Sequence, residues 1–354
     1  MNLKYTFQPK IKFTELTAFI RQFATMCEAR LSLLTIFDIL SLQTENRKLK
    51  TIIEKVKKDV QGGKTLHDSF SRYNKIFTPF FLQMLKVGEL TGQLDHMLIR
   101  VAIYYEKINS LKRKLLQSLS YPALVVIVAL AAVSFLLTYV VPTFADMFRD
   151  FDAKLPAITL LLMNISNFIS KSLWIFPAAL IATISGAKYL LGTKDGQVFW
   201  HKLQLNLPIS GAIIKKNYIS RFARTLGLLL ESGIPMLEAL KVTSDSIPNT
   251  MVKSEINQMR YYAERGNMLT QSLKKSKIFP PMVTQMITVG EETAQLDKML
   301  NRLADYYDSE IEASLSNLTT LLEPIIIIFL GIVLGTILIA LYMPLFDLVN
   351  IVPR

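Results

Sequence analysis

The chain writes one nineteen-residue stretch twice. Phe77 to Asp95 reads FTPFFLQMLKVGELTGQLD and Phe279 to Asp297 reads FPPMVTQMITVGEETAQLD, with eleven identities at a constant offset of 202. An internal repeat of this kind sets the architecture before any other reading applies. The match extends downstream at the same offset: Tyr104-Tyr105 answers Tyr306-Tyr307, Pro122 answers Pro324, and Pro142 answers Pro344. Upstream the offset becomes 203, pairing Gly63 with Gly266 and Leu33-Leu34 with Met236-Leu237. The unit runs from about Thr17 to Asp146 and again from about Tyr218 to Leu348. Each copy is a polar region followed by one apolar segment.

Half of the residues are hydrophobic, and the charged fifth, Lys188 apart, lies outside three apolar runs. That distribution describes a membrane protein carrying helical domains rather than one globule. Residues 1–118 hold twenty Lys and Arg against ten Asp and Glu, residues 192–323 fifteen against fourteen, and the connector 142–172 three of each. The positive-inside rule therefore places both large polar regions in the cytoplasm and the connector outside. The first thirty residues are too charged for the apolar core of a signal peptide. Cys27 is the only cysteine. It excludes an internal disulfide, and its place on an apolar helical face reads as a buried structural thiol.

Helical periodicity dominates both polar regions. Leu16, Phe19, Ile20, Phe23, Met26 and Cys27 form one stripe, and Leu94, Met97, Leu98, Val101, Tyr104, Tyr105 and Ile108 another. No sustained strand alternation occurs, so each region is expected to be an all-α bundle of about six helices. Pro122 to Pro142 and Pro324 to Pro344 are apolar stretches of a length that, as a helix, rises about 30 Å, the thickness of a bilayer core. Lys112, Arg113 and Lys114 mark the cytoplasmic end of the first. Gly331 and Gly335 have the small-xxx-small spacing that admits another helix. The weaker run 173–191, with Lys188 snorkelling, is expected as a third span, because two parallel repeats on one side of a membrane need a return crossing. The expected organisation is helical domain 1 at 1–118, a span at 119–141, an outer loop at 142–172, a span at 173–191, helical domain 2 at 192–323, a span at 324–346 and an outer tail at 347–354.

Catalytic patterns are absent from the sequence. Gly62-Gly63-Lys64-Thr65 resembles the end of a phosphate-binding loop, but Lys58 stands where the pattern needs glycine and the surroundings are helical, so it reads as a turn between helices. The histidines His67, His96 and His201 have no ligand spacing. The remaining candidates are the doubled Gly88, Glu89, Leu94 and Asp95 and their echoes Gly290, Glu291, Leu296 and Asp297. They read as helix caps, as a docking surface for a partner, or as holders of a divalent cation. No cofactor is expected. The basic first region invites an anionic partner, but its aromatics lie on the apolar stripes and not among the lysines, which speaks against nucleic acid.

The doubled VGE-x-T-x-QLD motif, FPPMVTQM from Phe279, VPTF from Val141 and the closing EPIIIIFLG…YMPLF resemble the type II secretion system F family, closest to its type IV pilus branch. The resemblance covers nearly the whole chain. It implies two homologous cytoplasmic six-helix domains and three spans in the inner membrane, no enzymatic activity, self-association, and a platform role. The implied partners are hexameric assembly and retraction ATPases, major and minor pilins, and inner-membrane alignment proteins. Arg30 and Ala294 replace glycines of the family pattern, so the turn at Arg30 is expected to differ. The missing N-terminal extension keeps a secretion or competence pseudopilus as the alternative. Pro122, Pro142, Pro324, Gly331, Gly335 and Pro344 are the expected membrane-helix packing positions. A transporter, the reading from another class, requires ionisable groups or broken helices inside the matched spans, and no charge lies between their prolines.

Overall fold

The computed structural model describes residues 10–143, 192–208, 210–274 and 276–351, with isolated positions between 160 and 186. The expected outer loop and the run 173–191 lie almost wholly outside the described residues. Within them the chain is helical and contains no strand.

The first repeat comprises α1 (Phe13–Glu28), α2 (Leu33–Gln43), α3 (Arg47–Gln61), α4 (Leu66–Ser71), α5 (Pro79–Thr91) and α6 (Leu94–Phe135). After α7 (Lys194–Asn206), the second repeat follows as α8 (Ser210–Glu231), α9 (Met236–Ser246), α10 (Thr250–Glu264), α11 (Thr270–Leu273), α12 (Pro281–Glu292) and α13 (Leu296–Ile351). Local chemistry sets the starts. Asn46 and Asn249, equivalent in the two copies, each accept two backbone N–H groups at the head of α3 and α10. Thr78 caps α5 with Pro79 at its first position. Of the later elements, α7 has no counterpart in the first copy, and its pattern did not announce it.

The described residues of 1–114 and 198–312 form one compact unit. Its core is continuous through both repeats. In the first repeat Phe19, Phe23, Phe37, Phe70, Phe77 and Phe81 are buried together, with ring centroids such as Phe70–Phe77 at 4.8 Å and Phe77–Phe81 at 4.9 Å. Each such ring contributes about 1.5–3 kcal/mol of burial. The second repeat fills the same positions with Phe222, Leu226, Leu240, Leu273, Phe279 and Val283, all buried. It also draws Leu205 of α7 into the core.

The same ion pair ties first helix to last in each copy. Arg21 binds Glu106 through both guanidinium and carboxylate branches, and Arg224, its equivalent, donates to Asp308 at 2.9 Å. Backbone strain is also placed equivalently. Arg30 (φ 57°) stands in the left-handed region where the other copy has Gly233 (φ 77°), and Ala294 (φ 53°) where the other has Gly92 (φ 70°). The turn at Arg30 therefore keeps the geometry of its glycine counterpart, contrary to the expectation of a different turn. An arginine is held at positive φ there because the packing on either side over-determines the turn.

The described residues of 115–197 and 313–354 form the second unit. The helices Leu94–Thr143 and Leu296–Ala340 are long and apolar enough to cross a membrane. In this unit Leu137 and Val141 bury against Ile337 and Ala340 along one seam, flanked by Val133, Leu136, Val140 and Val333. Leu136–Val140 winds as a π-helix. It lies directly ahead of Pro142, which has no N–H for the carbonyl four residues back. α6 passes through Pro122 without a break, and α13 includes Pro324 and Pro344. At Gly331 and Gly335 a Cβ would meet nothing within 4 Å, so this chain's own seam does not use the small-residue pair.

The Arg21–Glu106 pair makes a pH prediction. The hydrogen bond from Arg21 holds Glu106 below its ordinary 4.5, with the Arg21 charge adding to it and burial opposing. A lowered folded pKa adds stability that is present above the unfolded value and lost as pH falls through the folded one. Glu106→Gln is expected to flatten the acid side of the stability profile below about pH 4.5, measured by urea unfolding of the detergent-solubilised chain. The effect is small, because both side chains are partly exposed.

Candidate functional site

The doubled motif forms the turn between α5 and α6, and between α12 and α13. A Cβ on Gly88 would stand 2.9 Å from the Cα of Leu94, and one on Gly290 2.9 Å from the Cα of Leu296. Real Cβ atoms do not approach a backbone so closely, so glycine is required here for closeness rather than for a special φ. Glu89 turns inward: its carboxylate accepts from Leu66 N and, at 3.0 Å, from His67 N. These are orphan donors at the head of α4, where the dipole favours a negative charge. Glu291 does the same with Leu269 N at 2.8 Å, but its second oxygen is buried with no partner among the described residues. Asp95 and Asp297 sit in the first turns of α6 and α13.

Each set of four is thus assembled within its own repeat as a clamp on three helices. No hydrogen bond or ion pair among the described residues joins one set to the other. The second set also lines an open cavity of about 400 Å³ with Leu230, Met236 and Ala294. Among the described residues, no group of three or more His, Cys, Asp or Glu side chains is placed to hold a metal. The Gly62–Thr65 stretch links α3 to α4: Lys64 pairs with Asp59 at 2.7 Å, and Thr65 accepts from Asp68 N at 3.0 Å. Cys27 is buried, and that burial, with the Asp95 charge behind it, pushes its thiol up to about 12.

Sequence reasoning missed the seam between the repeats. Tyr104 Oη lies 3.1 Å from Thr225 Oγ1, with Phe80 packed on the Tyr104 ring at 4.4 Å. Gln83 donates to Glu238 at 2.8 Å, and Arg100 reaches Glu231 at 3.1 Å and Ser232 Oγ at 3.3 Å. Lys107 extends to within 3.6 Å of Asp308, a carboxylate only 3% exposed that already binds Arg224 and Ser220. The available signal was a contrast between copies. Lys107 and Asp308 are replaced at equivalent positions by Ser309 and Glu106, so a charge pair joining the two copies leaves no periodic trace.

Gly88→Ala forces α5 from α6 and is expected to cost about 1–3 kcal/mol. Glu89→Ala removes a two-bond cap and should cost about 1–2 kcal/mol, with Glu291→Ala costing less because it loses one bond. Urea midpoints of the detergent-solubilised variants check the order; equal losses for the two glutamates would contradict it.

Comparison with known proteins places this geometry. The family model for the Type II secretion system (T2SS), protein F, matches residues 19–142 and 222–344, the two repeats. The Type IV pilus assembly protein PilC of Myxococcus xanthus is 37% identical over 94% of this chain and 80% of its own. The protein of the same name in Thermus thermophilus is 36% identical, over 95% and 83%. The Type II secretion system protein F of Vibrio cholerae is 31% identical, over 99% and 86%. With both repeats matched and relatives aligned over 94–99% of this chain, the chain belongs to the type II secretion system protein F family.

Proposed function

We propose that this chain is the inner-membrane platform of a type IV pilus assembly machine, coupling cytoplasmic ATPase motors to the insertion and extraction of pilins. The observation that carries the reading is the alignment, over nearly all of this chain, with proteins named for type IV pilus assembly at 35–37% identity. In this reading the chain is a structural part of the machine rather than an enzyme. In this reading the two repeats are six-helix domains on the cytoplasmic side. The apolar parts of α6 and α13 cross the membrane in company with a third span at 173–191, and the chain self-associates. Hexameric motors, pilins and alignment proteins are its partners. The doubled turn residues Gly88 to Asp95 and Gly290 to Asp297 and the spans' glycines and prolines are its candidate contact points.

A mechanical rationale supports it. At 1.5 Å per residue the 42 residues of α6 rise about 63 Å, and no polar linker separates its polar part from its apolar part. A displacement of the clamped α5–α6 turn travels down such a rod. A pseudopilus platform of a secretion system is the second reading, favoured by the secretion relatives at 31–32% identity. A transporter is disfavoured by the absence of Asp, Glu, His, Lys and Arg between Pro122 and Pro142 and between Pro324 and Pro344.

A six-residue Gly/Ser insertion after Lys114 is expected to abolish fibres while leaving the protein in the membrane at its normal level. Sheared-surface pilin and immunoblots of membranes measure the two quantities. Fibres persisting with the insertion would refute rod coupling. Reporter fusions at residues 60 and 260 should both read cytoplasmic.

A further inference from the structure

The seam between the repeats joins unlike faces of like modules. From the first repeat it uses the α5/α6 face: Phe80, Gln83, Arg100 and Tyr104. From the second it uses the α8/α9 face: Thr225, Glu231, Ser232 and Glu238, with Lys107 also reaching Asp308 on the buried side of α13, away from the exposed Tyr306. By the repeat offsets, α8 and α9 correspond to α1 and α2. The contact is therefore heterologous, and a heterologous contact leaves one copy of each face unused.

The unused faces are the α12/α13 face of the second repeat and the α1/α2 face of the first, and they are open where their counterparts are covered. Tyr306 is 42% exposed against 2% for Tyr104, and Met282 is 37% exposed against 0% for Phe80. On the other side Leu31 is 42% exposed against 4% for Ile234, and Gln22 is exposed where Thr225 is fully buried. Chemistry matches as well. Arg100 pairs with Glu231, and the equivalent unused residues are Arg302 and Glu28, again a cation and a carboxylate. Neither side chain makes an ion pair among the described residues, although the Glu28 charge is felt by Arg21. Tyr104 with Thr225 becomes Tyr306 with Gln22, and Gln83 with Glu238 becomes Gln285 with Thr35, each pair still able to hydrogen-bond.

We propose that a second copy of this chain docks head to tail by repeating the internal seam, the α12/α13 face of one chain on the α1/α2 face of the next, with Arg302 paired to Glu28. Three observations select a second copy as the occupant: complementary charge, equivalent apolar positions left uncovered, and an existing contact of the same kind inside the chain. A two-fold dimer would instead place one face against itself. The inference specifies the self-association of the proposed platform and does not depend on the identity of the motor.

The test uses the full chain in detergent, with two differently tagged copies co-expressed and co-purification read out. Arg302→Glu alone puts two carboxylates together, and Glu28→Arg alone puts two guanidinium groups together, so each should lower pair recovery about tenfold. Co-expressing the two variants restores opposite charges at every junction and should restore recovery. In a Cys27→Ser background, Glu28→Cys on one tag and Arg302→Cys on the other should give a disulfide-linked pair containing both tags, while either alone gives none. Unchanged recovery in the single variants, failure of the combination to rescue, or self-linking of Glu28→Cys would each overturn the interface. Self-linking would point to a two-fold contact, and pairs that persist without the mixed disulfide would leave self-association standing by another surface.

Discussion

Everything in each repeat is positioned by the place where two helices touch backbone to backbone. Gly88 and Leu94, and Gly290 and Leu296, meet at a distance that leaves no room for a methyl group. That approach brings Glu89 and Glu291 against the first turns of the short helices before them, so one carboxylate fixes a third element. The direction in which α6 and α13 leave this turn follows from it, and those are the helices that carry the apolar stretches. The duplicated acidic motif thus acts through geometry. Its charge settles backbone donors, and the glycine beside it sets the distance.

The two copies keep this frame while changing what fills it. Six phenylalanines in the first core correspond to two phenylalanines, three leucines and a valine in the second, and all remain buried. Volume-conserving or compensated replacements are tolerated inside a fixed backbone, and Leu205 of the extra helix α7 joins the second core. The ion pair from first to last helix survives as Arg21–Glu106 and Arg224–Asp308. Only the second is deeply buried, and only there does a lysine of the other repeat approach. A charge already held inside one module has been taken into the joint between modules, which ties the integrity of the joint to that of the module.

A seam built from unlike faces has consequences beyond the single chain. A joint between identical faces closes on itself, whereas one between different faces closes into a ring or runs on as a filament, according to its rotation. Here Arg100 and Glu231 are engaged while Arg302 and Glu28 stand uncommitted, so the chain presents externally the same chemistry it uses internally.

The sequence alone determined the duplication, the all-helical class and the two matched apolar helices, because each depends on local period or on residues a few positions apart. Stripes such as Leu94, Leu98 and Tyr105 follow from 3.6-residue geometry, and Asn46 and Thr78 cap helices wherever they lie. The family could be recognised for the same reason. Tertiary structure decided what those residues do. That Glu89 reaches back to Leu66 and His67, that Arg30 accepts a glycine's backbone angle, and that Tyr104 is covered while Tyr306 is not are facts about neighbours remote in the chain. They depend on which face meets which, and two nearly equal copies of a sequence carry no local mark of which one is to be covered.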